Sequence, residues 1–165
     1  MQLKRNLKMG MIGGGPGAFI GEVHRKAARI DGGIEIVGGA FDINPRKSKQ
    51  MGKELNLNSK RVYKSYEELI EKELELPEGE RMDFITICTP NNWHYPIAKA
   101  CLEAGFHVMC EKPMTLTVKE ARELVKIVKK TRRVFGLMHN YTGYPMAKLA
   151  RDMVKNGKIG KIRKI

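Results

Sequence analysis

The sequence predicts an α/β fold, a doubly wound parallel sheet with helices on both faces, on three observations. Short apolar runs alternate with helical patterns along the whole chain, the arrangement that builds βαβ units and a parallel sheet. The first apolar run leads directly into a glycine-rich turn, Gly13-Gly14-Gly15-Pro16-Gly17-Ala18. Helix-start signals then recur at regular intervals between the later apolar runs.

Taken in order, Leu7 to Gly13 reads as the first strand. After the glycine turn, Ile20, Val23, Ala27 and Ile30 recur at helical spacing, and Asp31-Gly32-Gly33 ends that helix. Ile34 to Phe41 is a second strand. Asn44-Pro45 opens a helix, with Asn as N-cap and Pro at the first helical position. Ser65 with Glu68 forms a capping box before a helix containing Leu69, Ile70 and Leu74. Phe84 to Cys88 is a buried strand, ended by Thr89-Pro90. Ile97, Ala100, Cys101 and Ala104 make an apolar stripe closed by Gly105. Phe106 to Cys110 is another strand. Thr117 with Glu120 caps a helix expected to point Ala121, Leu124, Val125 and Val128 inward. Val134 to Met138 is a further strand. The last helix carries Met146, Leu149, Ala150, Met153 and Val154 at i, i+3, i+4, i+7, i+8, followed by Gly157 and a basic tail from Lys158 to Ile165.

Bulk properties narrow the function classes. A chain of 165 residues with 42% apolar and 30% charged composition fits one domain with a short extension. No run approaches the roughly 18 apolar residues of a membrane span. Met1 to Lys8 is basic, but Met9-Gly10-Met11-Ile12 is too short for an export segment, so a cytoplasmic location is expected. The formal charge is +13. Its lysines and arginines, such as Lys119, Arg122, Lys126, Lys129 and Lys130, are scattered over helix faces without interleaved aromatics, which points away from nucleic acid. Cys88, Cys101 and Cys110 lack metal-ligand spacing and read as small buried thiols.

Four segments carry candidate chemistry. Gly13-x-Gly15-x-x-Ala18 lies after a strand and opens a helix, the context of a dinucleotide-binding turn. Gly13 permits the tight turn, Gly15 a close approach of backbone to pyrophosphate, and Ala18 tight helix–strand packing; the helix N-terminus offers N–H groups to phosphate. Asp42, 24 positions after Ala18, is placed to accept from ribose hydroxyls and to repel a 2′-phosphate. Arg46 nearby is the candidate partner of such a phosphate, so NAD is expected and NADP remains open. Thr89-Pro90-Asn91-Asn92-Trp93-His94 and Glu111-Lys112-Pro113 each follow a strand at its C-terminal end, where ligands of open parallel sheets bind. A lysine there can donate to a substrate hydroxyl and favour loss of its proton.

Together these segments resemble the Gfo/Idh/MocA family of oxidoreductases, over roughly Leu7 to the end. The match rests on the glycine turn, on Thr89-Pro90-Asn91 with His94, and above all on Glu111-Lys112-Pro113. Ala18-Phe19-Ile20-Gly21 with His24-Arg25, and Asn140-Tyr141-Thr142-Gly143-Tyr144-Pro145, resemble one branch of it. The resemblance implies a Rossmann-type domain over residues 1–143. It assigns 144–165 to a connecting helix and the lead-in to the first strand of a second, substrate-binding domain. It implies hydride transfer with a sugar, cyclitol or related polyol as the substrate, Lys112 as the catalytic residue, and a cis Lys112–Pro113 bond. Glu111 and Lys112 would contact the nicotinamide ribose. The expected cofactor-binding set is Gly13, Gly15, Gly17, Ala18, Phe19, Ile20, Asp42, Arg46, Thr89, Pro90, Asn91, His94, Glu111, Lys112 and Asn140, with no metal.

The family's second domain supplies an Asp and a His for proton transfer. Here no histidine follows His139 and Asp152 is the only acidic residue beyond it. The chain by itself is therefore expected to lack the general base and to turn over poorly. A longer parent is expected to form homo-oligomers. A non-catalytic NAD-binding regulatory module is the alternative reading, and Lys112 argues against it.

Overall fold

A computed structural model describes residues 5–164. Five parallel strands form one sheet in the order β2-β1-β3-β4-β5: β1 (Leu7–Gly13), β2 (Ile34–Ala40), β3 (Phe84–Cys88), β4 (His107–Cys110) and β5 (Phe135–Leu137). Between them run α1 (Phe19–Ile30), α2 (Pro45–Glu54), α3 (Tyr66–Glu75), α4 (His94–Glu103) and α5 (Val118–Thr131), and α6 (Pro145–Lys155) follows β5. The strand order reverses between β1 and β3, whose ends meet at Gly13 and Cys88. That crevice is where doubly wound sheets bind ligands.

Alternation along the strands separates two cores. Met9, Met11 and Cys88 pack with Ala28 of α1 and Met51 of α2. Ile12, Ile85 and Ile87 pack on the other face with Leu69 of α3, Ile97 of α4 and Leu124 of α5. A central strand with side chains buried on both sides explains why β3 reads as an apolar run broken only by Thr86, Phe84-Ile85-Thr86-Ile87-Cys88. All three cysteines are buried, as expected. Burial pushes the Cys88 and Cys110 thiols up to about 12, with the Glu111 carboxylate adding to both.

The strand bounds differ from the sequence expectation by one residue at some ends. The ladder itself runs on, since Val108 N donates to Val134 O and Met138 N to Cys110 O. Thr117 and Glu120 form the full reciprocal capping box. At α3 only half of one forms: Ser65 accepts from Glu68 N, but Glu68 reaches Lys64 N. Gly105, with φ +95°, follows the C-cap of α4 and takes the left-handed conformation that such ends require.

Two helices turn a different face inward from the one their apolar spacing suggests. Helix α1 buries Gly21, His24, Arg25 and Ala28, while Val23 and Ile30 face solvent. In α5, Val125 is exposed and Ile127 takes its place beside Leu124. The apolar stripe of α6 is uncovered among the described residues, with Met146, Leu149 and Val154 all exposed. Residues 157–164, expected to lead into a strand, are turn and coil. Residues 1–4 of the basic N-terminus and Ile165 of the basic tail lie outside the described residues. No helix is long and apolar enough to cross a membrane.

Candidate functional site

The glycine turn is wedged between the ends of two strands. A Cβ on Gly15 would stand 2.7 Å from Phe41 O and 3.3 Å from the Asp42 Cβ, and one on Gly13 would stand 2.7 Å from Cys88 O. Gly13, Gly14 and Gly17 all have φ between +71° and +79°, the left-handed region in which side chains are strained. The close helix approach assigned to Ala18 belongs instead to Gly21, whose Cβ would lie 2.5 Å from Gly14 Cα. Ala18 is the N-cap of α1 and supplies no side-chain cap. The first-turn N–H groups therefore have no side-chain oxygen on them, and a helix N-terminus in that state attracts anions.

Beneath the turn, α1 sends two adjacent side chains inward. Arg25 Nη1 donates to Gly14 O at 2.7 Å, with its side chain buried. Burial lowers its pKa, and no carboxylate pairs with it among the described residues. His24 Nε2 lies 2.8 Å from Glu111 Oε1. An ionised carboxylate has no proton to give, so the imidazole donates. The other oxygen, Glu111 Oε2, accepts from Lys112 N at 3.1 Å. Both oxygens of Glu111 are thus occupied within the protein, and Lys112 projects at the exposed C-terminal edge of β4. The Lys112–Pro113 bond is cis, as expected.

His94 corrects an expectation. Its side chain was expected in the cofactor groove, but only 1% of the residue is exposed. Nδ1 lies 2.6 Å from Pro113 O and Nε2 2.9 Å from Thr89 O. A neutral ring can donate to only one of these carbonyls and a protonated ring to both. In contrast, the Thr89 hydroxyl is buried with no hydrogen-bond partner. Natural structures rarely leave such an atom unpaired without a ligand or water to complete it.

The remaining candidates lie at the same edge but are less closely gathered. Asp42 is half-buried beside Gly15, and its Oδ1 accepts from Asn44 N at 2.8 Å. Arg46, Pro90 and Asn91 are exposed, as is Asn140 in the turn after β5. Phe19 is 80% exposed at the head of α1, whereas Ile20 packs into the core on that face. A groove of about 770 Å³ flanks the turn, lined by Gly15 to Phe19 and Arg25, with Met51 and Leu55 on the α2 side. No cluster of potential metal ligands exists among the described residues. Sequence reasoning quoted His24 and Arg25 but gave them no role. Apolar spacing carried no signal for them, because it turns Val23 and Ile30 toward the sheet, whereas the structure turns His24 and Arg25 inward.

Residues 7–139 match the sequence model of the Gfo/Idh/MocA oxidoreductase family, described as its NAD-binding Rossmann fold. The chain belongs to that family. An oxidoreductase of Bacillus subtilis is 35% identical over 162 residues, which cover 98% of this chain and 41% of the relative. An inositol dehydrogenase homolog from Azotobacter vinelandii, solved with NADH and myo-inositol, superposes with a TM-score of 0.93. It is 38% identical, and the match covers 98% of this chain and 42% of that one. An oxidoreductase from Sinorhizobium meliloti is 43% identical with a TM-score of 0.89, over 97% of this chain and 44% of its own. This chain thus spans about two fifths of the length of these relatives.

Proposed function

We propose that this chain binds NAD in preference to NADP and serves a dehydrogenase acting on a carbinol of a sugar, cyclitol or related polyol, with Lys112 as its catalytic residue. We also propose that residues 1–143 are the dinucleotide-binding domain and 144–165 a connector, and that the 165 residues alone turn over such substrates poorly. The observation that carries this reading is the Glu111–Lys112 pair: an exposed lysine held by a buried carboxylate at the sheet edge, beside the glycine turn. A module that only sensed NAD would gain nothing from a lysine fixed there.

The cradle fits a dinucleotide. Glycine at 13, 14 and 15 leaves bare the positions where a Cβ would crowd the strand ends or α1, the α1 N-terminus is uncapped, and the Thr89 hydroxyl lacks a partner. Bound NAD supplies the hydride acceptor. Asp42 keeps one carboxylate oxygen for ribose hydroxyls and sets a negative charge against a 2′-phosphate. Lys112 donates to the substrate hydroxyl and, by its charge, favours release of the hydroxyl proton. Relatives support the substrate class: the Azotobacter vinelandii structure holds myo-inositol, and a levoglucosan dehydrogenase of Pseudarthrobacter phenanthrenivorans is 29% identical over 158 residues.

Calorimetry with NAD and NADP tests the reading. NAD should bind more tightly, Asp42→Ser should narrow the gap, and Gly15→Val should abolish binding by a folded chain. Equal affinities for the two dinucleotides would reject the Asp42 assignment. A screen of inositols and sugars, followed at the absorbance of reduced cofactor, should show little turnover; robust turnover would refute the claim that the site is incomplete.

A further inference from the structure

We propose that His24 is a positioning residue for the Glu111–Lys112 end of the site, so that α1 aligns both ends of the bound dinucleotide at once. This rests on the reading above, in which Glu111 and Lys112 face the nicotinamide end. The two residues involved are 87 positions apart in sequence, yet His24 Nε2 and Glu111 Oε1 meet at 2.8 Å with both side chains buried. Through its other oxygen Glu111 accepts from the backbone N–H of Lys112. The imidazole therefore fixes the carboxylate, and the carboxylate fixes the peptide from which the Lys112 side chain springs. Next to it on the helix, Arg25 holds Gly14 O, the middle of the phosphate-binding turn. One turn of α1 thus carries the fixings of the turn and of the lysine.

The energetics favour this coupling over simple filling of space. A buried carboxylate left without its donor retains its desolvation cost, so without His24 the Glu111 group would swing toward water and release Lys112 N. A residue that merely filled space would, when removed, weaken all ligands of the site alike. A positioning residue weakens only those that reach Lys112.

ADP and NAD separate these cases, because ADP carries the adenosine and pyrophosphate without the second ribose, which Glu111 and Lys112 would contact, or the nicotinamide. Affinities of both are measured by calorimetry on the parent chain, His24→Ala and His24→Gln. The expected result is that His24→Ala lowers NAD affinity at least about tenfold, the loss of one charge-assisted hydrogen bond, and leaves ADP within about twofold. His24→Gln, which keeps an N–H aimed at Glu111, recovers most of the loss. Should His24→Ala not fold, His24→Asn, polar but too short to reach, takes its place. Equal loss for both ligands, or no loss for either, overturns the proposal. A parent chain that binds neither ligand overturns the NAD reading itself and this inference with it.

Discussion

Two carboxylates are buried among the described residues, Glu73 on α3 and Glu111 after β4, and they are held in different ways. Glu73 is wholly buried and accepts from four donors: Arg61 Nε at 2.9 Å, Arg61 Nη2 at 2.6 Å, Tyr63 OH at 2.7 Å and Met82 N at 3.0 Å. Every partner lies within 12 residues in sequence. Its charge in turn pushes the Tyr63 phenol pKa up, though burial contributes more. Glu111 has only two donors, one of them on a helix 87 residues away and the other its neighbour's backbone. The first carboxylate is saturated by its own surroundings and welds a local loop to α3. The second ties distant elements together with little to spare, and what it holds is a lysine left free to act. Sequence separation and donor count, more than burial, distinguish the carboxylate that closes a local loop from the one that braces Lys112.

Substitutions break that contrast in opposite senses. Glu73→Ala strands Arg61 and several donors and should cost about 3–5 kcal/mol of stability in chemical unfolding. The fraction that remains folded should bind NAD as the parent does. Glu111→Gln keeps the shape of the side chain and should cost less, about 1–2 kcal/mol, yet its NAD affinity should fall. A Glu73 variant that lost NAD affinity while folded would erase the distinction.

A third carboxylate, Asp83, marks the lower end of the scale. Arg5 donates to both of its oxygens at 2.7 Å and Lys8 N to one, at the sheet's opposite end from the turn. The Arg5 guanidinium, more than any other cause, holds the Asp83 carboxyl below its usual value. A folded pKa below the unfolded one, about 3.9, contributes stability that is present above that value and lost as pH falls through the folded pKa. Asp83→Asn should therefore lower stability at neutral pH by less than about 1 kcal/mol, since Arg5 is half exposed, and flatten the acid limb of the profile. An unchanged acid limb would show that the pair is too well screened to matter.

Much of this architecture was legible in the sequence. All five strands, the side-chain N-caps of α2, α3 and α5 at Asn44, Ser65 and Thr117, and the glycine turn carry local signals that survive folding. The facing of α1 was not legible, for a physical reason. Apolar spacing marks Val23, Ala27 and Ile30, but the helix must lay Gly21 on Gly14 to close the turn, and that rotation carries His24 and Arg25 inward. Their partners, Gly14 O and Glu111, are a backbone atom and a residue far along the chain, neither visible to periodicity. His94 escaped for the same reason, because its partners are two carbonyls.

Those two carbonyls make His94 a strut. One ring lies between the residue that follows β3 and the proline that follows Lys112, so the loops after neighbouring strands meet on the same imidazole. A ligand that drew Thr89 toward its unpaired hydroxyl would shift, by leverage through the imidazole, the peptide that bears the lysine.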